Sequence, residues 1–308
     1  MSGTRLRIAT RVSNLAQWQA RHVAGLLETI EPSLAVELVD VSTAGDKDRT
    51  RPLDRVGGVG VFTREIQQAV LEGRADLAVH SLKDLPTEPV DGLVLAGVPS
   101  RGEIADALLL PAGKTLTNGI DGLDREARVG TGSPRRQAQL RFVRPDLELV
   151  GIRGNVETRL NKLDAGEYDA VVLAVAGLIR LGLGDRISAR LDGKTMLPAV
   201  GQGALGLECR DDDAVTAALL TEITHEPTRQ AVTAERALMA RLQAGCHAPV
   251  GVRTERIETE LQMHAVVLDP EGCQRIEAHG EARATDAVSL GREVAETLLS
   301  QGADVLIG

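Results

Sequence analysis

The feature that most constrains this chain is a strand-then-helix rhythm that runs through its first hundred residues, stops, and then starts again. Leu6–Ala9 reads as a short strand entering a helix, whose start is marked by Asn14 with Gln17 three residues later and whose end is enforced by Pro32. Leu15, Trp18, Val23, Leu26, Leu27 and Ile30 give that helix an apolar stripe. Ala35–Val41 alternates as a strand, Thr63–Leu71 reads as a helix stopped by Gly73, and Ala75–Val79 reads as a buried strand leading into the loop His80–Pro86. The pattern resumes with strands at Ala107–Leu110, Arg128–Thr131, Glu148–Ile152 and Ala170–Val175, and helices at 134–142 and 156–165. Alternation of this kind predicts largely parallel sheets. The Gly-rich segment Met196–Cys209 reads as extended and is expected to cross back to the first sheet. From about residue 222 the pattern changes to a helix over 228–243, a hairpin of Leu261–Leu268 with Cys273–Ala278 around the turn Asp269–Gly272, and a last helix near 286–300.

A length of 308 residues fits two or three domains. The boundaries expected are 1–104 with 200–221 for one α/β domain, 105–199 for a second, and 222–308 for a smaller α+β domain. With 43% hydrophobic and 26% charged residues the composition is globular, and no apolar run reaches the roughly 18 residues of a membrane helix. The N-terminal residues carry no apolar stretch behind their charges, so neither secretion nor membrane anchoring is expected, and a cytoplasmic location is. Three cysteines, Cys209, Cys246 and Cys273, match neither a disulfide framework nor a zinc site. A net charge of −9 argues against nucleic-acid binding. Of 35 basic residues only five are Lys, and nine basic residues against four acidic ones fall between Arg125 and Lys162. Because arginine grips carboxylate or phosphate with a planar fork, an acidic protein with this cluster suits a small, multiply anionic ligand.

Several motifs sit where strands meet helices. In Thr131-Gly132-Ser133-Pro134-Arg135-Arg136, Ser133 is suited to cap a helix and Pro134 to begin it. Cations are disfavoured at a helix start, so Arg135 and Arg136 require a bound anion or a protein carboxylate there. Arg153-Gly154-Asn155 repeats the logic, with Arg159 one turn into the next helix. Asp84, after Lys83, follows a buried strand. A loop carboxylate satisfied by nearby donors is the commoner fate of such a residue, and a role in chemistry is the alternative. Cys246 lies in an open Gly-Cys-His loop past a helix, whereas Cys209 and Cys273 sit in strand patterns and are expected in the core. Residues 42–60 carry charges and glycines with little apolar periodicity, which predicts a lid or a disordered loop. The histidines are scattered without metal-ligand spacing and Gly57-Gly58-Val59-Gly60 lacks the residues of a phosphate loop, so no metal and no nucleotide are expected.

Taken in order, five stretches resemble the porphobilinogen deaminase, or hydroxymethylbilane synthase, family across essentially the whole length. They are Ile8–Ala16, Ala78–Pro86, Arg153–Val156 with Thr158–Leu160, Leu197–Ala204, and Glu235–Ala237 leading to Gly245-Cys246. The resemblance implies two periplasmic-binding-protein-like (type II) α/β domains and a smaller α+β C-terminal domain. It implies a transferase (EC 2.5.1.61) of heme biosynthesis, expected as a monomer, that joins four porphobilinogen units head to tail and releases linear hydroxymethylbilane by hydrolysis. It further implies a dipyrromethane cofactor held by a thioether to Cys246, and a catalytic Asp84. The carboxylates of substrate and cofactor are assigned to Arg11, Ser13, Lys83, Thr131, Ser133, Arg135, Arg136, Arg153, Arg159 and Arg180. Such a site suits this reaction, since each pyrrole brings an acetate and a propionate. The chain departs from the family pattern at Val59, Gly132, Pro134 and Ala105, which bears on turnover and substrate handling. A non-catalytic anion-binding protein and an inactive homologue are the other readings of the same residues.

Overall fold

In chain order the elements are β1 (Arg5–Arg11), α1 (Asn14–Ile30), β2 (Ala35–Val41), α2 (Arg64–Leu71), β3 (Leu77–Ser81), β4 (Leu93–Gly97), β5 (Asp106–Leu109), β6 (Arg128–Gly130), α3 (Pro134–Val143), β7 (Glu148–Val150), α4 (Val156–Asp164), β8 (Ala170–Ala174), α5 (Val175–Arg180) and β9 (Ala189–Leu191). They continue with β10 (Leu205–Arg210), α6 (Ala214–Glu222), α7 (Glu226–Arg241), β11 (Val250–Ile257), β12 (Glu260–Leu268), β13 (Arg275–Arg283), α8 (Ala287–Ser300) and α9 (Ala303–Ile307). The computed structural model of the chain describes residues 5–43, 60, 62–245 and 248–307. Two compact units result, one of Met1–Gly102 with Ala204–Arg229 and the other of Glu103–Gly203 with Gln230–Gly308.

The first unit is built on a five-stranded sheet in the order β2-β1-β3-β10-β4. β1 pairs in parallel with β2 and β3, as the alternation predicts, but β10 lies antiparallel to both β3 and β4. The Gly-rich return segment does reach the first sheet. It enters between two strands already laid down, against their direction, so the expectation of a largely parallel sheet holds for only half of it. Buried Ala20, Val23 and Leu27 of α1 cover one face with Ile8, Leu77, Val79, Leu205 and Cys209. On the other face, Ile66, Ala69 and Val70 of α2 pack on Ala9 and Ala78. The cap of α1 is Ser13, whose Oγ accepts from the Ala16 amide, and the expected Asn14 is already the first helical residue. Both residue types cap helices, and the extended backbone at Ser13 decides between them.

The second unit repeats this plan with the order β7-β6-β8-β5-β9, in which β6 is parallel to β7 and β8 while β5 runs antiparallel to β8 and β9. The same unit holds the antiparallel sheet β11-β12-β13, covered on one face by α7 and α8 over a core that includes Leu238, Val252, Met263 and Leu290. The opposite face of that sheet is covered at one end, where Val266 and Leu268 pack on Ala138 and Leu197. The turn between β12 and β13 comes so close to α3 that a Cβ at Gly272, itself at φ +69°, would lie 2.6 Å from the Ala138 carbonyl oxygen. Cys273, in that turn, is exposed, which corrects its expected place in the core. Cys209 is fully buried as expected. The sequence patterns also missed β4, α5, β9, α6, β11 and α9. Three of these are edge strands, where apolar alternation is weakest because one side and one edge lack a partner.

Candidate active site

In the first unit the candidate residues cluster at the ends of β1 and β3. Asp84 closes a single 3-10 turn, Leu82–Asp84, directly after β3. Leu82 and Leu85 are buried on either side of it, while the Asp84 side chain is exposed. The turn is tied down by the Leu85 amide donating to the Leu82 carbonyl at 3.1 Å, and by the Leu82 amide donating to the Ala204 carbonyl at 3.0 Å. Before the turn, Ser81 Oγ accepts from Nε2 of the buried Gln19 at 2.7 Å. Half-buried Lys83 sits within the turn, Ser13 caps α1, and the Arg11 guanidinium stacks 4.2 Å over the Phe62 ring.

Room for this turn comes from Gly206 in β10, opposite His80 in register. A Cβ there would lie 2.7 Å from Leu82 Cδ1, 3.2 Å from Leu95 Cδ1 and 3.5 Å from Leu85 Cδ2. Gly206→Val is therefore expected to overpack the anchor of Asp84, with a cost of about 1–3 kcal/mol that equilibrium urea unfolding will read, together with a lower kcat. An unchanged urea midpoint and an unchanged kcat would show that Leu82 can move without consequence. On the same face of the sheet, buried His80 Nε2 lies 2.9 Å from Glu208 Oε2, and Gln67 Nε2 donates to the same oxygen at 2.9 Å. Gln19, Gln67, Gly206 and Glu208 were not singled out from the sequence. A charged residue inside the apolar run of β10 was the available signal.

The second unit places two helix starts at strand ends. Ser133 caps α3, its Oγ accepting from the Arg136 amide at 3.5 Å, with Pro134 in the first turn. Buried Thr131 accepts at Oγ1 from the Ser133 amide at 3.3 Å. Arg135 and Arg136 are only 5% and 6% exposed, and both close on Asp106, which is 0% exposed. Arg135 Nη1 lies 2.7 Å from Asp106 Oδ2, and Arg136 Nη2 lies 2.7 Å from Asp106 Oδ1. The Leu197 carbonyl accepts from Arg135, the Val172 carbonyl accepts from Arg136, and Gln202 donates to Asp106 at 3.1 Å. Of the two compensations the sequence left open for these cations, the structure supplies a carboxylate. Burial lowers the Arg135 pKa, and the neighbouring Arg136 charge adds to this against the pull of Asp106. Asp106, the hub of the network, was passed over as a site residue. An acid inside the apolar run Ile104–Leu110 was its sequence signal.

At the second helix start Asn155 caps α4, accepting at Oδ1 from the Thr158 amide at 2.8 Å. Arg159 Nε donates to the Gly154 carbonyl at 2.9 Å. Gly154 sits at φ +112°, and a Cβ there would stand 2.6 Å from Thr158 Cγ2, so the close approach of the backbone at 154 to α4 requires glycine. Arg153 and Arg159 are half-buried. Arg180, at the end of α5, donates from Nη2 to the Gly203 carbonyl at 2.6 Å, and burial alone depresses its pKa to about 10. Cys246, His247 and most of the expected lid (44–59) lie outside the described residues.

One α/β unit thus presents a carboxylate at a strand end, and the other carries guanidiniums at two capped helix starts. Two family models carry this further. "Porphobilinogen deaminase, dipyromethane cofactor binding domain" matches residues 6–218, and "Porphobilinogen deaminase, C-terminal domain" matches residues 229–300. The chain belongs to the porphobilinogen deaminase family. It is a transferase of tetrapyrrole and heme biosynthesis that joins four porphobilinogen units on a dipyrromethane cofactor and releases hydroxymethylbilane. The residues present fit such a cofactor. The donor set is rich in arginine, and Nε of Arg135 is a buried donor with no hydrogen-bond partner among the described residues. Among solved structures, the periplasmic domain of Bordetella pertussis BvgS is 16% identical over 71% of this chain, with a TM-score of 0.41, and this chain spans only 39% of its length. Its VFT2 domain taken alone is 16% identical over 71% of this chain and 86% of that one, with a TM-score of 0.42. The aliphatic sulphonate binding protein SsuA from Escherichia coli is 16% identical over 78% of this chain and 70% of that one, with a TM-score of 0.39. Among the described residues, no helix is long and apolar enough to cross a membrane.

Proposed function

We propose that Asp84 is the catalytic carboxylate and that Cys246 carries the dipyrromethane through a thioether. Arg11, Ser13, Lys83, Thr131, Ser133, Arg135, Arg136, Arg153, Arg159 and Arg180 receive the carboxylates of substrate and cofactor. The reaction is that classed EC 2.5.1.61, carried out by a monomer in the cytoplasm. One observation carries the reading: Asp84 is exposed on a turn whose flanking leucines are buried, so its carboxylate is both accessible and held in place.

When bound, the dipyrromethane supplies the primer to which pyrroles are added. The chain's own residues do the rest. The Asp84 carboxylate stabilises the positive charge that develops on the porphobilinogen ring nitrogen as ammonia leaves, and it accepts the proton released as the new C–C bond forms. Arg153 and Arg159 present charged donors beside a helix start whose free amides also favour anions. Arg135 and Arg136 are pre-oriented by Asp106, which leaves little side-chain freedom to lose when a carboxylate arrives.

Intact mass of the purified protein tests the attachment, because a dipyrromethane adduct shifts the mass by a defined amount and peptide mapping locates it. The adduct is expected on Cys246, and a Cys246→Ser protein is expected to lack both the adduct and the colour that dipyrromethanes give with an aldehyde reagent. Burial, reinforced by the Asp213 charge, raises the Cys209 thiol to about 11, which makes it a poor nucleophile. An adduct on Cys209 or on exposed Cys273 would sink the assignment.

A further inference from the structure

The open face of the C-terminal sheet gathers three groups from its two neighbouring strands β12 and β13. His264 on β12 and His279 on β13 are paired directly in register, and their rings stack with centroids 4.0 Å apart and planes 19° apart. Glu277, two residues before His279, projects from the same face, and its Oε2 lies 3.3 Å from His264 Nε2. One ligand atom from each of the three lies within 4.8 Å of the others. We propose that His264, Glu277 and His279 form a binding site for a divalent transition-metal ion of the zinc class.

The donor set selects the ion. Two imidazole nitrogens and one carboxylate oxygen suit zinc, copper and nickel and are poor for magnesium or calcium, which take oxygen ligands. Three protein ligands leave a coordination position for water, as in open zinc sites. An ion held tetrahedrally at about 2.0–2.1 Å from each ligand needs the more distant donor atoms to draw together by up to roughly 1.5 Å. Half-buried His264 and exposed Glu277 and His279 can supply this by side-chain rotation, because the strand pairing already fixes their Cβ positions. The neighbouring charges set the strength. Arg253 of β11, opposite His264 in register, is engaged by Glu255, and Arg275 donates to Glu277 Oε2 at 2.9 Å. Arg275 also lies 5.4 Å from the centroid of the Phe142 ring, so it has a second seat when Glu277 turns to an ion. Lys194, Arg253, His264 and Arg275 line one pocket with Asp192, and Glu281 flanks the pair through Gln262, so cations and acids are interspersed around the ligands. This balance points to reversible binding.

The test uses the tag-free, full-length, cofactor-loaded protein after chelator treatment and desalting. Zn(II) is titrated calorimetrically, and Cu(II) is followed by electron paramagnetic resonance. One equivalent should bind, and the Cu(II) spectrum should carry superhyperfine structure from two imidazole nitrogens. His264→Gln and His279→Gln should each weaken binding by about 10–100-fold or more, and Glu277→Gln by less. All three should consume porphobilinogen at the parent rate, which shows that they are folded. Cys273→Ser should bind as the parent does. Absence of saturable one-to-one binding, survival of binding in the His264→Gln/His279→Gln double variant, or its loss in Cys273→Ser would each overturn the proposal.

Discussion

Asp84→Asn protein is expected to hold pyrroles and fail to join them. The substitution keeps the shape of the side chain, and the turn that carries it is anchored by Leu82 and Leu85, not by the carboxylate. Binding through the arginines should persist, while charge stabilisation and proton transfer are lost, at a cost of about 10²–10⁴ in rate. The deficit should be the same at every elongation step. Arg159→Ala should fail differently, since it removes one carboxylate partner from a half-buried position and leaves the chemistry intact. That protein should load cofactor poorly or stall at a particular chain length. A mass ladder recorded after brief exposure to porphobilinogen, under one salt and pH condition, separates the two. Full-length chains built by Asp84→Asn at a near-parental rate would remove Asp84 from its proposed role.

The second large effect belongs to a residue that touches no pyrrole in this account. Asp106→Ala leaves the Arg135 and Arg136 guanidiniums buried, side by side and without the carboxylate on which both close. Breaking a buried ion network by deleting one partner costs about 3–5 kcal/mol, because the surviving charge has lost its water and gained nothing. Here two charges survive, so the upper part of that range is expected. Asp106→Asn should cost less, since an amide oxygen still accepts from one guanidinium. Equilibrium denaturation gives the stability of each variant, and intact mass gives the fraction carrying cofactor. A loss below about 1 kcal/mol in Asp106→Ala would mean that the arginines reach water or another acceptor, and that Asp106 is not their anchor.

The start of α3 shows how far local reading extends. A serine followed by proline where a strand ends is a helix start whatever the rest of the protein does, because the capping oxygen and the amides it satisfies lie within three residues of each other. The cap of α4 at Asn155 and the stop of α1 before Pro32 are legible for the same reason. At Ser13 and Asn14 the same rule offers two adjacent candidates, and only the path of the chain leaving β1 chooses between them.

By itself the sequence determined the alternation of strands and helices, the capped helix starts and the family. Tertiary structure alone decided which groups face one another. Asp106 stands 29 residues before Arg135 and 30 before Arg136, and Glu208 stands 141 residues after Gln67, yet each set meets inside the protein. The antiparallel entry of β10 between β3 and β4 brings Gly206 under Leu82, and the register of β12 with β13 sets His264 against His279. Caps and periodicity are short-range interactions written in consecutive residues. A buried charge or a close-packed glycine is satisfied by partners that only strand order and register bring into reach.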